Sequence, residues 1–152
     1  MKQPPPKTIV RDDRGQSLVE FALTLPMLLV VMFMITEFGR ALYQYNVLVQ
    51  ATREAARAAV VEQDLDDAPG IGTTRMDNFL DGTGMERIGL EREVVIVPNF
   101  NESGTTVVRA TVTMPFRWIL QGDMPTNADM SAPVAPTGLM LSAETIMRAE
   151  TF

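Results

Sequence analysis

Glu20 is the residue that most needs a chemical explanation. It is the sole charge in Leu18–Ile35, LVEFALTLPMLLVVMFMI, an otherwise apolar run broken only by Thr24 and Pro26. An ionised carboxylate in a hydrocarbon layer costs about 2.5–3.5 kcal/mol at the centre and less near the edge. Either Glu20 reaches water at an interface, or a cation from a neighbour offsets that cost. Five positions earlier stands Gly15, a residue without a side chain whose backbone can enter a confined site. Other chemistry is scarce. The chain has no His and no Cys, so the commonest general base near neutral pH and every thiolate are missing. Ser17 and Ser142 have no His to activate them. Asp81-Gly82-Thr83-Gly84-Met85-Glu86 lacks the D-x-D-x-D-G order of a calcium hand and reads as a loop. Asp64, Asp66 and Asp67 read as solvated acid. Neither metal nor cofactor is expected, and a formal charge of −6 argues against a nucleic-acid surface.

The elements that would hold Gly15 and Glu20 follow from composition. Lys2, Lys7, Arg11 and Arg14 make the opening segment basic, and Pro4-Pro5-Pro6 keeps it extended. The apolar run then begins abruptly. As a helix of 1.5 Å per residue, its eighteen residues reach ~27 Å against a hydrocarbon core of roughly 30 Å. With the basic flank first, the N-terminus lies in the cytoplasm and everything after Thr36 outside. Ile35-Thr36-Glu37-Phe38 offers no small-x-small site, so ordinary signal cleavage after the apolar run is disfavoured. Pro26 within the helix predicts a kink or a short unwound stretch.

Beyond Thr36 an amphipathic helix is expected over 37–68. Its apolar face is assigned to Phe38, Ala41, Leu42, Tyr45, Leu48, Val49, Thr52, Ala56, Ala59 and Val60. Glu37 and Arg40 pair at i,i+3, worth a few tenths of a kcal/mol. Asp64-Leu65-Asp66-Asp67 and Ala68-Pro69-Gly70 read as the stop. Residues 69–152 read as a β-rich head. A short helix falls near Thr74–Leu80, and a hairpin pairs Arg92–Val97 with Thr105–Phe116 around a seven-residue loop. The second strand does not alternate cleanly through Val107, Ala110, Val112 and Met114. Residues 121–137 form a long loop, and a third strand is favoured over a helix in 137–150. Trp118 beside Phe116 is assigned to core.

Gly15-Gln16-Ser17-Leu18-Val19-Glu20-Phe21 resembles a type IV prepilin processing site. Across positions 14–59 the chain is similar to the TadE-like pseudopilins of the Tad (Flp-type) pilus system. Arg14-Gly15, Val19-Glu20-Phe21-Ala22, Leu25-Pro26, Glu37-Phe38-Gly39-Arg40 and the Ala/Arg-rich 51–59 carry the similarity. Gln16 departs from the Phe found first in better-known mature pilins. The resemblance implies a non-enzymatic structural subunit of α+β fold, a long membrane and spine helix packed on a small antiparallel sheet. It implies a leader over 1–15 removed by a prepilin peptidase between Gly15 and Gln16, a transmembrane helix over 16–36, and a periplasmic or extracellular head. Glu20 would pair with the new α-amino group of a neighbouring subunit, with Phe21 part of the recognition segment. Partners would be other pilins meeting through the apolar helix, the inner-membrane assembly platform and membrane lipid. An uncleaved single-pass protein with a partner-binding head keeps the same fold. A membrane-tethered carboxylate hydrolase needs a converging acidic pair that the sequence does not single out.

Overall fold

The computed structural model describes residues 13–62, 64–85, 87–100, 104–119 and 138–149. The extended segment around Pro4-Pro5-Pro6, most of the hairpin loop and the 121–137 loop lie outside the described residues. Contacts divide the chain into two compact units, Met1–Thr36 and Glu37–Phe152. The elements run α1 (Asp13–Val61), α2 (Ala68–Thr83), β1 (Glu91–Phe100), β2 (Thr105–Pro115) and β3 (Met140–Arg148). The chain is α+β, with a long N-terminal helix and a second helix accompanying a three-stranded antiparallel sheet.

In the first unit, every residue from Gly15 to Thr36 is exposed. No unwound stretch appears at Pro26, because α1 is helical throughout. The proline withholds one N–H from the carbonyl of Ala22 and leaves the rest of the ladder in place. Thr24 and Thr36 turn their hydroxyls onto the carbonyls of Glu20 and Met32, each at 2.9 Å. Their polar groups are thereby satisfied within the helix, as an apolar surrounding demands.

In the second unit, the sheet has the order β1-β2-β3. The register sets Val94 opposite Ala110 and Ala110 opposite Thr145. Val108, Ala110, Val112 and Met114 form the buried face of β2, so its alternation is clean once Val107 is assigned to the opposite face. The register shifts between Val97 and Phe100, around Pro98. Strand β1 is an edge, where a residue without an N–H is tolerated. The hairpin loop is consequently shorter than the expected seven residues.

The helical stripe that meets this sheet is Leu48, Ala51, Thr52, Ala55, Ala56 and Ala59, all fully buried. The expected face was centred one strip of the helix away. Phe38, Leu42 and Tyr45 remain exposed at 66%, 47% and 43%, while Ala51 and Ala55 are core. Thr52 donates to the carbonyl of Val49 at 2.9 Å and lies 2.8 Å from the Thr145 hydroxyl. With the Thr52 proton so engaged, Thr145 is the donor between them, and neither hydroxyl is buried unpaired.

Helix α1 ends at Val61 rather than running to 68. Ala68-Pro69-Gly70 opens α2 instead of closing α1, since Pro at the first helical positions forfeits only an N–H that has no partner there. The acids at 64, 66 and 67 therefore precede a helix N-terminus, where the dipole favours negative charge. Asp64 also accepts the Asp66 amide at 2.9 Å. Helix α2 buries Ala68, Gly72, Met76 and Leu80, and extends further than Thr74–Leu80 on both sides. Asp81, Gly82 and Thr83 form its last turn, not a loop, and Gly84 caps it at φ 65° with its N–H on the Asp81 carbonyl. Arg92 grips Asp77 with Nη2 on Oδ2 and Nε at Oδ1, both at 2.8 Å, tying β1 to α2.

Gly72 is the tightest point. A Cβ there would lie 2.9 Å from Val94 Cγ1, 3.1 Å from the Ala55 carbonyl oxygen and 3.2 Å from Ala59 Cβ. Gly72→Val is expected to lower unfolding stability by about 1–3 kcal/mol through overpacking. Gly70→Ala, where an added Cβ meets nothing, should stabilise by up to ~1 kcal/mol. Urea unfolding of the two detergent-solubilised variants, followed by circular dichroism, separates these outcomes.

Candidate functional site

Gly15, Gln16, Val19, Glu20 and Leu23 share one face at the start of α1. Helix α1 begins at Asp13, so the Gly15–Gln16 bond lies in its first turn. That turn lacks intrahelical partners for its N–H groups and opens at little cost. A Cβ built on Gly15 would meet nothing within 4 Å. Packing among the described residues therefore gives no reason for glycine at this position. The Glu20 side chain is exposed, and among the described residues no side chain meets its carboxylate. Phe21 is 63% exposed on the same helix. These residues are brought together by helical periodicity alone.

A second constellation lies in the other unit, where sequence reasoning assigned only a weak surface pair. Glu37 is 4% exposed. Its Oε2 accepts from Arg40 Nη1 at 2.8 Å, and its Oε1 accepts from the Ile119 amide at 2.7 Å. Arg40 also donates through Nη2 to the Arg117 carbonyl at 3.4 Å, and its guanidinium carbon stands 5.5 Å from the Phe116 ring centroid. Phe116 is buried at 3% and meets Trp118 edge-on, with centroids 5.2 Å apart. Trp118 itself is 46% exposed, so only Phe116 of that pair is core. Both carboxylate oxygens of Glu37 are thus engaged, one by a cation and one by the main chain that follows β2.

A signal for this node was present in the sequence. Glu37, Ala41, Gln44, Leu48, Ala51, Ala55 and Ala59 recur at spacings of three and four, the period of one helix face. A carboxylate on a buried stripe with Arg three residues on is a paired buried charge, not a surface pair.

Among the described residues, no group of three or more His, Cys, Asp or Glu side chains is arranged to hold a metal ion. The Arg87 guanidinium pairs with Asp81 and donates to the Asp77 carbonyl at 2.6 Å. The acids at 77 and 81 therefore serve to join α2 to the segment leading into β1.

Glu37→Ala should destabilise the second unit by about 1–3 kcal/mol, the range for bonds to a charged group when one partner stays partly exposed. Amide exchange at Ile119 should accelerate. Glu37→Gln keeps an acceptor for the amide and should lose less. Exchange at Ile119 unchanged in Glu37→Ala would show that the node does not hold this segment.

Residues 15–57 match the family model described as TadE-like protein. Neither a curated protein nor a solved structure matched the chain. The matched span runs from Gly15 through Glu20, Pro26 and the Glu37–Arg40 pair into the buried alanine stripe. Over that segment, and not beyond it, the chain is similar to the TadE-like proteins.

Proposed function

We propose that this chain is a minor pilin or pseudopilin, anchored in the inner membrane by α1, processed after Gly15 and acting in assembly of a Tad-type pilus. The observation that carries this reading is the coincidence of the family match with the start of an exposed apolar helix at a sterically unexplained glycine. The helix is long and apolar enough to cross a membrane, and none of its apolar window is buried within the protein. A lipid layer, or the helices of neighbouring subunits, supplies the cover that the chain itself does not. The head would then stand outside the cytoplasm, and the assembly role would be structural rather than enzymatic.

Glu20 supports an assembly role on energetic grounds. Its carboxylate stands early in the apolar run without a side-chain partner among the described residues, and cleavage before Gln16 would create an α-amino cation on every subunit. Pairing between neighbours would offset desolvation and fix the axial register, the best-attested use of a single buried polar group. A prepilin peptidase, other pilins and an inner-membrane platform are the partners this chemistry asks for.

The N-terminal sequence and intact mass of the membrane-extracted protein, with and without its native peptidase, test the reading. A peptidase-dependent start at Gln16 is expected. A start at Met1 in both samples would mean an uncleaved anchor, and a start beyond Glu37 an ordinary secreted protein. Gly15→Leu should stop processing. Glu20→Ala should be processed yet fail to assemble, and normal pili from that variant would sink the pairing.

A further inference from the structure

We infer that the surface around the Glu37 node is a lipid-headgroup contact, which seats the head of this protein on the membrane surface. The inference rests on the reading of Leu18–Ile35 as membrane-spanning and goes beyond it, since a spanning helix can carry a head held clear of the bilayer.

The chain has one Trp and two Tyr, and all three are exposed: Trp118 at 46%, Tyr43 at 59% and Tyr45 at 43%. The tyrosines fall on α1 within ten residues of Ile35. Trp118 is far away in sequence, yet the next residue, Ile119, is bonded through its amide to Glu37 at 2.7 Å. Ile119 and Phe38 are themselves 50% and 66% exposed. A helix from Leu18 to Ile35 covers ~27 Å of a ~30 Å hydrocarbon core, so chain length alone puts Glu37 and Phe38 at the boundary.

The chemistry of this surface is that of a headgroup layer rather than of a dry protein seam. Trp and Tyr prefer the membrane boundary because their rings are apolar and their tips require hydrogen-bond partners. Among the described residues, neither tyrosine hydroxyl nor the Trp118 indole N–H has such a partner. The Arg40 side chain, 36% exposed and 5.5 Å from the centroid of the Phe116 ring that Trp118 abuts, offers a cation for lipid phosphate. Phe38, Leu42 and Tyr45, at spacings of four and three, could instead receive the helix of a second copy. Trp118 and Ile119 lie off that helix and are left unexplained by such a seam.

Trp118 being the only indole, its fluorescence reports on this surface alone. The full chain would be reconstituted in phosphatidylglycerol-containing vesicles made with lipids brominated at shallow or deep acyl positions. The expected result is blue-shifted emission, quenched several-fold more by shallow than by deep bromine. Co-flotation with vesicles but no quenching would overturn the inference while leaving the anchor standing. Failure to co-float would overturn the anchor and the inference together. Emission that shifts with protein-to-lipid ratio yet ignores bromine would assign the surface to a second copy and overturn the lipid contact.

Discussion

Ala51, Ala55, Ala56 and Ala59 project almost nothing from α1, and the closeness this permits governs the architecture of the second unit. A helix bearing leucines along that stripe would hold its neighbours roughly 10 Å away, and Gly72 could not lie against Ala55 and Ala59. All four alanines are fully buried, and the α2 glycine fits where even one methyl would collide. Apolar bulk is supplied from the opposite side, by Val108, Val112 and Met114 of β2 and by Met76 and Leu80 of α2. The volume rule of a close-packed interior is thus met by small residues on the helix and large ones on its neighbours. Thr52 and Thr145 add one hydrogen-bonded polar contact to this layer, a directional link where dispersion alone is indifferent to register.

Glu37 does a related job with charge. The segment following β2 has no strand partner for the Ile119 amide, and a carboxylate of α1 supplies the acceptor. Arg40 balances that carboxylate and reaches the Arg117 carbonyl as well. A buried carboxylate needs both a cation and hydrogen bonds to be tolerated, and here it has them. The same residues that satisfy it order the Phe116–Trp118 pair, so the position of an exposed aromatic ring depends on a salt bridge on a different element.

Much of this was legible from residue types. The β-branched runs of β1 and β2 and the helix from the apolar run onward followed from periodicity, and β3 was the favoured alternative for its segment. The face of α1 was misjudged because Phe38, Leu42 and Tyr45 outweigh alanines on any hydrophobicity count. Close packing selects for smallness, which such a count does not register. Ala68-Pro69-Gly70 was ambiguous for a physical reason, since proline both ends one helix and suits the first turn of the next. At Glu37 the i,i+3 spacing was visible, but its worth depended on Ile119, 82 residues away, and local spacing carries no such information. Gly15 and Glu20 were conspicuous in sequence because neither fits a plain apolar helix, and the described residues add no side-chain partner for either.

The Thr52–Thr145 contact has a consequence for the order in which the molecule can be made. Its two ends are separated by 93 residues, and β3 completes the sheet that covers the alanine stripe. A ribosome producing about 5–20 residues per second releases α1 several seconds before β3 exists. During that interval α2 and β2 can supply cover for the stripe but the Thr145 partner of Thr52 is missing, and closure over so long a span is slow. The sheet of the second unit can therefore be completed only after its third strand has been made. A chain interrupted before β3 keeps the α2 and β2 side chains that face the stripe but lacks Leu141 and Ala143 of the core and the Thr145 hydroxyl that meets Thr52.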